Sequence, residues 1–195
     1  MGQYFSNENL PSNVKEYTFF VLGTKFSFLT DNGVFSKDGL DFGSRLLLET
    51  IPLEEVGGKI LDMGCGYGVF GVVLNKITGA YVDMVDVNRR AIHLSKRNIE
   101  SNHCSNINAF ESFTYSNIYS KYTCIVTNPP IRAGKKVVYD IVMNAKEFLE
   151  KDGKLFLVIR KEQGAKSLII DLKKCYSKVN VLEKKKGFYI IECSL

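Results

Sequence analysis

The sequence predicts an α/β protein: a mainly parallel sheet with helices on both faces, an antiparallel last strand, and a small N-terminal β-ribbon and helix. Three observations carry this. From Lys59 onward, short apolar β-type runs alternate with amphipathic segments, the pattern of consecutive strand-helix units. A glycine-rich stretch, LDMGCGYGVFG, ends one such run and opens the next amphipathic segment. Near the C-terminus two β-type runs are separated only by a short KKKG-type turn, so the last strand must run antiparallel to its neighbour.

In chain order, YTFFVLG and KFSFLT read as a two-stranded ribbon, too small for a core of its own and therefore packed on the main sheet. DNGVFSKDG leads into a helix from about Asp41 to Thr50, with Asp41 placed to cap it. KILDMG is the first strand of the sheet, followed by a helix from about Val69 to Ile77. YVDMVDV and a helix from Arg89 to about Ser101 form the next unit, and INAFES the strand after it. YTCIVTN precedes a helix from about Lys136 to Leu149, GKLFLVI one from about Gln163 to Cys175, and KVNVLE and FYIIECS close the chain. The expected organisation is one domain over 1–195, with 1–50 as ribbon and helix packed on a core of 51–195.

Bulk properties set limits. A chain of 195 residues can bury roughly 70% of its unfolded surface, so neither disulfides nor metals are needed to hold it. No apolar run approaches the ~18 residues of a membrane span, and no signal segment opens the chain, which points to the cytoplasm. The opening MGQYFS fits the Met-Gly-x-x-x-Ser lipidation pattern, a match that six residues often make by chance. Five cysteines, odd in number and never in a CxxC arrangement, read as reduced thiols. With two histidines in all, and His93 expected at the surface, no metal site is expected. The net charge of +5 permits an anionic partner without requiring one.

Gly66, Gly68 and Gly71 satisfy G-x-G-x-x-G, and Asp86 lies 20 residues beyond Gly66, as a dinucleotide site would also require. Asp62, two residues before Gly64, separates the readings. A pyrophosphate over this turn would be repelled by a carboxylate, whereas S-adenosylmethionine has no phosphate and presents a cationic ammonium and sulfonium there. Asp62, Gly64, Cys65, Gly66, Tyr67 and Gly68 are therefore candidate cofactor residues, with Tyr67 as a wall. Asp86, with Val87 beside it, would accept both ribose hydroxyls.

TCIVTNPP poses a separate problem, since a strand heading into a sheet stops on Asn128 before Pro129 and Pro130. The prolines force Asn128 into extended backbone and present its side chain to the crevice where strand order reverses. Asn128 Oδ1 and the Pro129 carbonyl then form two acceptors for an exocyclic amine. They would hold its lone pair toward the sulfonium methyl and stabilise the positive charge developing on nitrogen.

DMGCGYG, VDVN and NPP together resemble the class I S-adenosylmethionine-dependent methyltransferases that modify amino nitrogens. GVFSKDGLDFGSRLLL and TNPPIRAGK resemble, more narrowly, the small-subunit ribosomal RNA guanine-N2 methyltransferases, in particular their short single-domain members. From about Tyr4 onward nearly the whole chain takes part. The resemblance implies a Rossmann-like seven-stranded methyltransferase sheet of order 3-2-1-4-5-7-6, with Asn128, Pro129, Pro130 and Ile131 as the catalytic tetrapeptide. It also places Ser36, Lys37 and Asp41 near the methionine moiety or the substrate. Two positions depart from related patterns. Ile131 stands where an aromatic often stacks on the target, leaving Phe35 as a candidate; AFESF lacks the usual Asp or Asn near adenine, leaving Ser112, with Phe113 as an apolar wall.

On this topology Arg132, Lys135, Lys136, Arg160, Lys161 and Lys184 to Lys186 rim the edge that carries NPP, while Glu147, Glu150 and Asp152 fall on the opposite edge. The rim suits ribosomal RNA or the small ribosomal subunit as partner. A protein glutamine amide or a small amine is an alternative substrate, and a non-catalytic RNA-binding module is an alternative of another class.

Overall fold

The computed structural model describes residues 10–195; the MGQYFS pattern lies outside the described residues. A hairpin comes first, β1 (Lys15–Val21) and β2 (Thr24–Thr30), with Leu22 and Gly23 in left-handed backbone at its tip. After α1 (Phe42–Thr50) come β3 (Lys59–Met63), α2 (Val69–Thr78), β4 (Tyr81–Asp86), α3 (Arg89–Ser101), β5 (Ile107–Glu111) and β6 (Tyr122–Thr127). The chain continues with α4 (Lys135–Asn144), β7 (Leu149–Arg160), α5 (Ala165–Leu172), β8 (Lys178–Lys185) and β9 (Phe188–Ser194).

β3 to β9 form one sheet of seven strands in the order β5-β4-β3-β6-β7-β9-β8, which is 3-2-1-4-5-7-6 counted from β3. Strands β3 to β7 pair in parallel, and β9 runs antiparallel to both β7 and β8. Burial on both faces explains why the central strands read as nearly continuous apolar runs. Ile60, Met84, Val126 and Phe156 face the cluster that holds α1, α2, α3 and the hairpin. Their neighbours Leu61, Val85, Ile125 and Leu155 face the cluster under α4 and α5. Among the described residues no helix is long and apolar enough to cross a membrane.

Two helices are shorter than their sequence pattern predicts. α4 stops at Asn144, a 3-10 turn covers Ala145–Glu147, and Leu149 already belongs to β7, where it pairs with Tyr122. Sheet pairing thus overrides the helical spacing of the apolar residues. α5 starts at Ala165 because Lys161–Gln163 form a 3-10 turn and Gly164 takes φ 91° at the N-cap.

The hairpin is docked by side-chain amides as well as by apolar contact. Asn98 on α3 accepts the Leu29 N–H at 2.7 Å and donates to the Leu29 carbonyl at 3.0 Å. One turn later Asn102 does the same to Ser27, at 3.1 and 2.7 Å. Ser27 and Leu29 are alternate residues of β2, so their backbone groups face one edge, and the two amides complete the ladder that a third strand would have supplied. Asn98 Nδ2 also donates to the Tyr67 carbonyl at 2.8 Å, which ties the hairpin to the glycine turn.

Asn98→Ala would strip partners from three backbone groups at once. We expect a loss of about 2–4 kcal/mol in denaturant unfolding, against less than about 0.5 kcal/mol for Lys96→Ala on the exposed face of the same helix. Equal small losses would mean that apolar packing alone docks the hairpin.

Candidate functional site

A cavity of about 610 Å³ opens where β3 and β6 part and the strand order reverses. The ends of β4 and β5 bring Asp86, Val87, Ser112 and Phe113 to one side of it. The ends of β6 and β7 bring Asn128 and Arg160 to the other, and the glycine turn lies between.

The turn is built from left-handed glycines: Gly64 at φ 73°, Gly66 at 57° and Gly68 at 94°. The N–H groups of Gly64 and Cys65 both donate to the Val85 carbonyl at 2.9 Å. Gly66 has open space where a side chain would stand. Its N–H donates to Asp86 Oδ2 at 2.9 Å, and Asp86 Oδ1 accepts the Asn88 N–H at 2.9 Å. Each carboxylate oxygen keeps acceptor capacity for a ligand hydroxyl. On the far side, Ser95 on α3 donates to the Gly66 carbonyl at 2.9 Å.

Asp62 lies under this turn, fully buried and outside the cavity lining. Its Oδ2 accepts the Gly71 N–H at 2.8 Å, and its Oδ1 has no hydrogen-bond partner. Burial, opposed by the Gly71 bond and reinforced by the charge of Asp86, pushes its carboxyl up to about 7. Burial also raises Asp86, against the N–H groups that it accepts. Two carboxyls held above their ordinary range, one with an orphaned oxygen, fit a ligand that brings positive charge to the turn. Burial, with Asp62 and Asp86 nearby, drives the Cys65 thiol well above its usual value, so it is not a nucleophile.

Asn128 ends β6 beside the cavity, and its Nδ2 donates to Ser44 Oγ on α1 at 3.1 Å, which leaves Oδ1 as an acceptor. Thr127 before it is held by a 2.7 Å bond from Oγ1 to the Met63 carbonyl. Pro129, Pro130, Ile131 and Arg132 line the cavity with it. Asp41 lines it too, and its Oδ1 accepts the Ser44 N–H at 3.0 Å, the capping role expected.

Other expected residues sort by position. Phe35 and Phe113 stand at the mouth, each about half exposed (52% and 53%). Tyr67 is buried with its hydroxyl donating to the Gly39 carbonyl at 3.1 Å; Ser36 Oγ donates to the same carbonyl. The Ser112 hydroxyl is turned into its own loop, donating to the Thr114 carbonyl at 2.8 Å. Lys37, Lys136 and Lys161 are exposed and outside the cavity lining, and Lys135 lies over the Tyr139 ring beside an adjoining pocket.

Residues not singled out from the sequence complete the wall beyond Asn128. Phe42 and Phe188 lie 5.6 Å apart, with the Arg160 guanidinium 4.5 Å from the Phe188 centroid and Lys186 4.8 Å from that of Phe42. The only signal for Phe188 was the basic, aromatic KKKGFY run, and Phe42 reads as an ordinary first residue of a helix.

Residues 25–192 match the family described as Methyltransferase small domain. The chain is 44% identical to the uncharacterized protein YbxB of Bacillus subtilis, over 98% of each chain. It is 32% identical to ribosomal RNA small subunit methyltransferase C of Psychromonas ingrahamii, over 92% of this chain and 52% of that one. Among solved structures it is similar to the T. thermophilus 16S rRNA N2 G1207 methyltransferase in complex with AdoMet and guanosine. That match has a TM-score of 0.85 and 26% identity, over 95% of this chain and 51% of the other. The chain thus spans about half the length of the ribosomal RNA methyltransferases that it matches.

The buried carboxyl of Asp62 makes a measurable prediction. Its folded value is raised, so the stability contributed by the protonated group is complete below the unfolded value of about 3.9 and is lost as pH rises toward about 7. Asp62→Asn keeps an acceptor for the Gly71 N–H and carries no charge. Its Tm should therefore rise relative to wild type as pH increases from 4 to 7; a constant Tm difference would show that Asp62 ionises as freely folded as unfolded.

Proposed function

The chain belongs to the methyltransferase small-domain family, and from that premise we propose that it methylates the exocyclic N2 amine of guanine in small-subunit ribosomal RNA. S-adenosylmethionine is the cofactor of the family, and when bound it supplies an electrophilic methyl group. The observation that carries the reading is the Asn128 amide, committed through Nδ2 to Ser44 and offering Oδ1 to a cavity end walled by Phe42, Phe188 and Arg160. The names of the half-matching relatives support the same substrate.

In this reading Asp86 receives the ribose hydroxyls, and Asp62 and Asp86 together favour the cationic end of the cofactor. Val87 and Phe113 wall the adenine end, since the Ser112 hydroxyl is engaged in its own loop. Asn128 Oδ1 and the Pro129 carbonyl accept the two N–H bonds of the amine. This keeps the nitrogen lone pair free for in-line attack and stabilises the charge that develops on nitrogen. No general base acts before transfer, because the cationic product loses its proton readily afterwards. A glutamine amide or a small amine would leave the wall of Phe42 and Phe188 uncovered, whereas a flipped-out base covers it. That wall, and not Phe35 at the mouth, takes over the stacking that an aromatic residue in place of Ile131 would provide.

Arg132, Lys135, Lys136, Arg160, Lys161 and Lys184 to Lys186 are all exposed at the edge that carries the cavity, although Glu162 pairs with Arg160 there at 3.2 Å. We assign this rim to RNA phosphates and the protein to the cytoplasm.

Asn128→Ala should lower the methylation rate about a hundredfold or more while cofactor affinity, read by calorimetry, stays near wild type. A wild-type rate would remove Asn128 from the chemistry. Reversing Arg132, Lys135 and Lys136 to Glu should weaken RNA binding and flatten its salt dependence by about 0.7 in slope for each phosphate that is no longer neutralised. An RNA affinity that ignores salt in the wild type would exclude the rim.

A further inference from the structure

We infer that Ser44 is a positioning residue that anchors the Asn128 amide by its nitrogen and so keeps its oxygen at the amine to be methylated. The inference rests on the methyl-transfer reading above.

A terminal amide has nearly the same shape in its two orientations, related by a half-turn about its last torsion, yet one presents an acceptor and the other two donors. Toward an amine only the acceptor orientation is productive, because N–H groups would otherwise face N–H groups. The backbone on either side of Asn128 is already held, by the Thr127 bond to Met63 and by Pro129. What remains undetermined is the amide rotation. The 3.1 Å bond from Nδ2 to Ser44 Oγ anchors it: with Nδ2 held on α1, Oδ1 is left for the cavity. Remove that hydroxyl, and the amide loses its anchor and turns about its last torsion, so the fraction with Oδ1 at the amine falls.

Ser44 is well placed for this work. It is 6% exposed, and its backbone N–H is held by the Asp41 carboxylate, which fixes its place in the first turn of α1. The approach of α1 depends on the preceding residue. A Cβ on Gly43 would lie 2.6 Å from Cε1 of Phe188 and displace α1 or that ring, whereas glycine lets α1 lie against the start of β9 and bring Ser44 to the end of β6. The segment before the sheet thereby reaches the reacting atoms through one hydroxyl.

The test is a mutant cycle on Ser44 and Asn128, with S-adenosylmethionine and in vitro transcribed small-subunit ribosomal RNA, read as single-turnover rates alongside KM and cofactor affinity. Ser44→Ala should lower the rate roughly ten- to a hundredfold with KM for RNA and calorimetric cofactor affinity unchanged. Ser44→Thr, which keeps the hydroxyl, should recover most of the rate. In the Asn128→Ala background, Ser44→Ala should cost nothing further. The inference is overturned by a wild-type rate in Ser44→Ala, by a loss that appears in KM alone, or by an equal loss in both backgrounds, the mark of a merely structural role. Asn128→Ala as fast as wild type would overturn the positioning role alone, whereas no methylation of the RNA by the wild-type protein would overturn the methyl-transfer reading.

Discussion

The close approach of α2 to β3 and β4 is the constraint on which the rest of the site depends. A Cβ at Gly71 would fall 2.2 Å from Met84 Sδ and 3.3 Å from Asp62 Oδ2, so any side chain there would force α2 or the buried Met84 to move. With glycine, the Gly71 N–H reaches Asp62, and the turn from Gly64 to Gly68 closes tightly enough for the Gly66 N–H to reach Asp86. From that turn the constraint passes outward. Ser95 and Asn98 satisfy its carbonyls, and Asn98 carries the link on to β2.

Polar side chains therefore do much of the structural work around a cavity whose lining is largely apolar. Such groups are costly to bury unless paired, and the pairing is nearly complete, with Asp62 Oδ1 as the exception among the described residues. An unpaired carboxylate oxygen beneath a turn of left-handed glycines would be a liability in a purely structural site. Its presence is consistent with a protein that holds part of its charge balance in reserve for a cationic ligand.

What could be read from the sequence follows from distance along the chain. The glycine turn, the Asp41 cap, Asp86 and the Asn-Pro-Pro stop are signalled by neighbours within a few residues, and the cavity brings Asp41, Asp86 and Asn128 to its lining. The sheet order was legible through resemblance, and the antiparallel β9 through the length of one turn. Contacts between distant segments were not legible. Asn128 meets Ser44 across 84 positions, and Asn98 meets Leu29 across 69, with no local pattern to announce either pairing. Phe188 had no signal beyond β-propensity and its basic neighbours, and Phe42 looked like an ordinary first residue of a helix. The overlong α4 is an error of another kind: the residues after Asn144 have helical spacing, but β6 offers Leu149 a strand partner.

These long-range contacts share a direction that explains why the segment joining the hairpin to α1 belongs to the cavity and does not merely decorate the fold. A Rossmann-like sheet supplies the turn, the acidic strand end and the Asn-Pro-Pro strand end, but each of these reaches the cavity with one side open. The segment before β3 closes them: Tyr67 is held by the Gly39 carbonyl, Asn88 donates to the Gly33 carbonyl at 3.0 Å, and Asn128 is held by Ser44. All three partners lie within Gly33 to Ser44, the stretch GVFSKDGLDFGS. A run of that length kept for packing alone would need apolar spacing, and this one has little. Its glycines and hydroxyls instead meet backbone and amide groups at the cavity, which accounts for why so polar a segment is needed where the sheet meets its ligand.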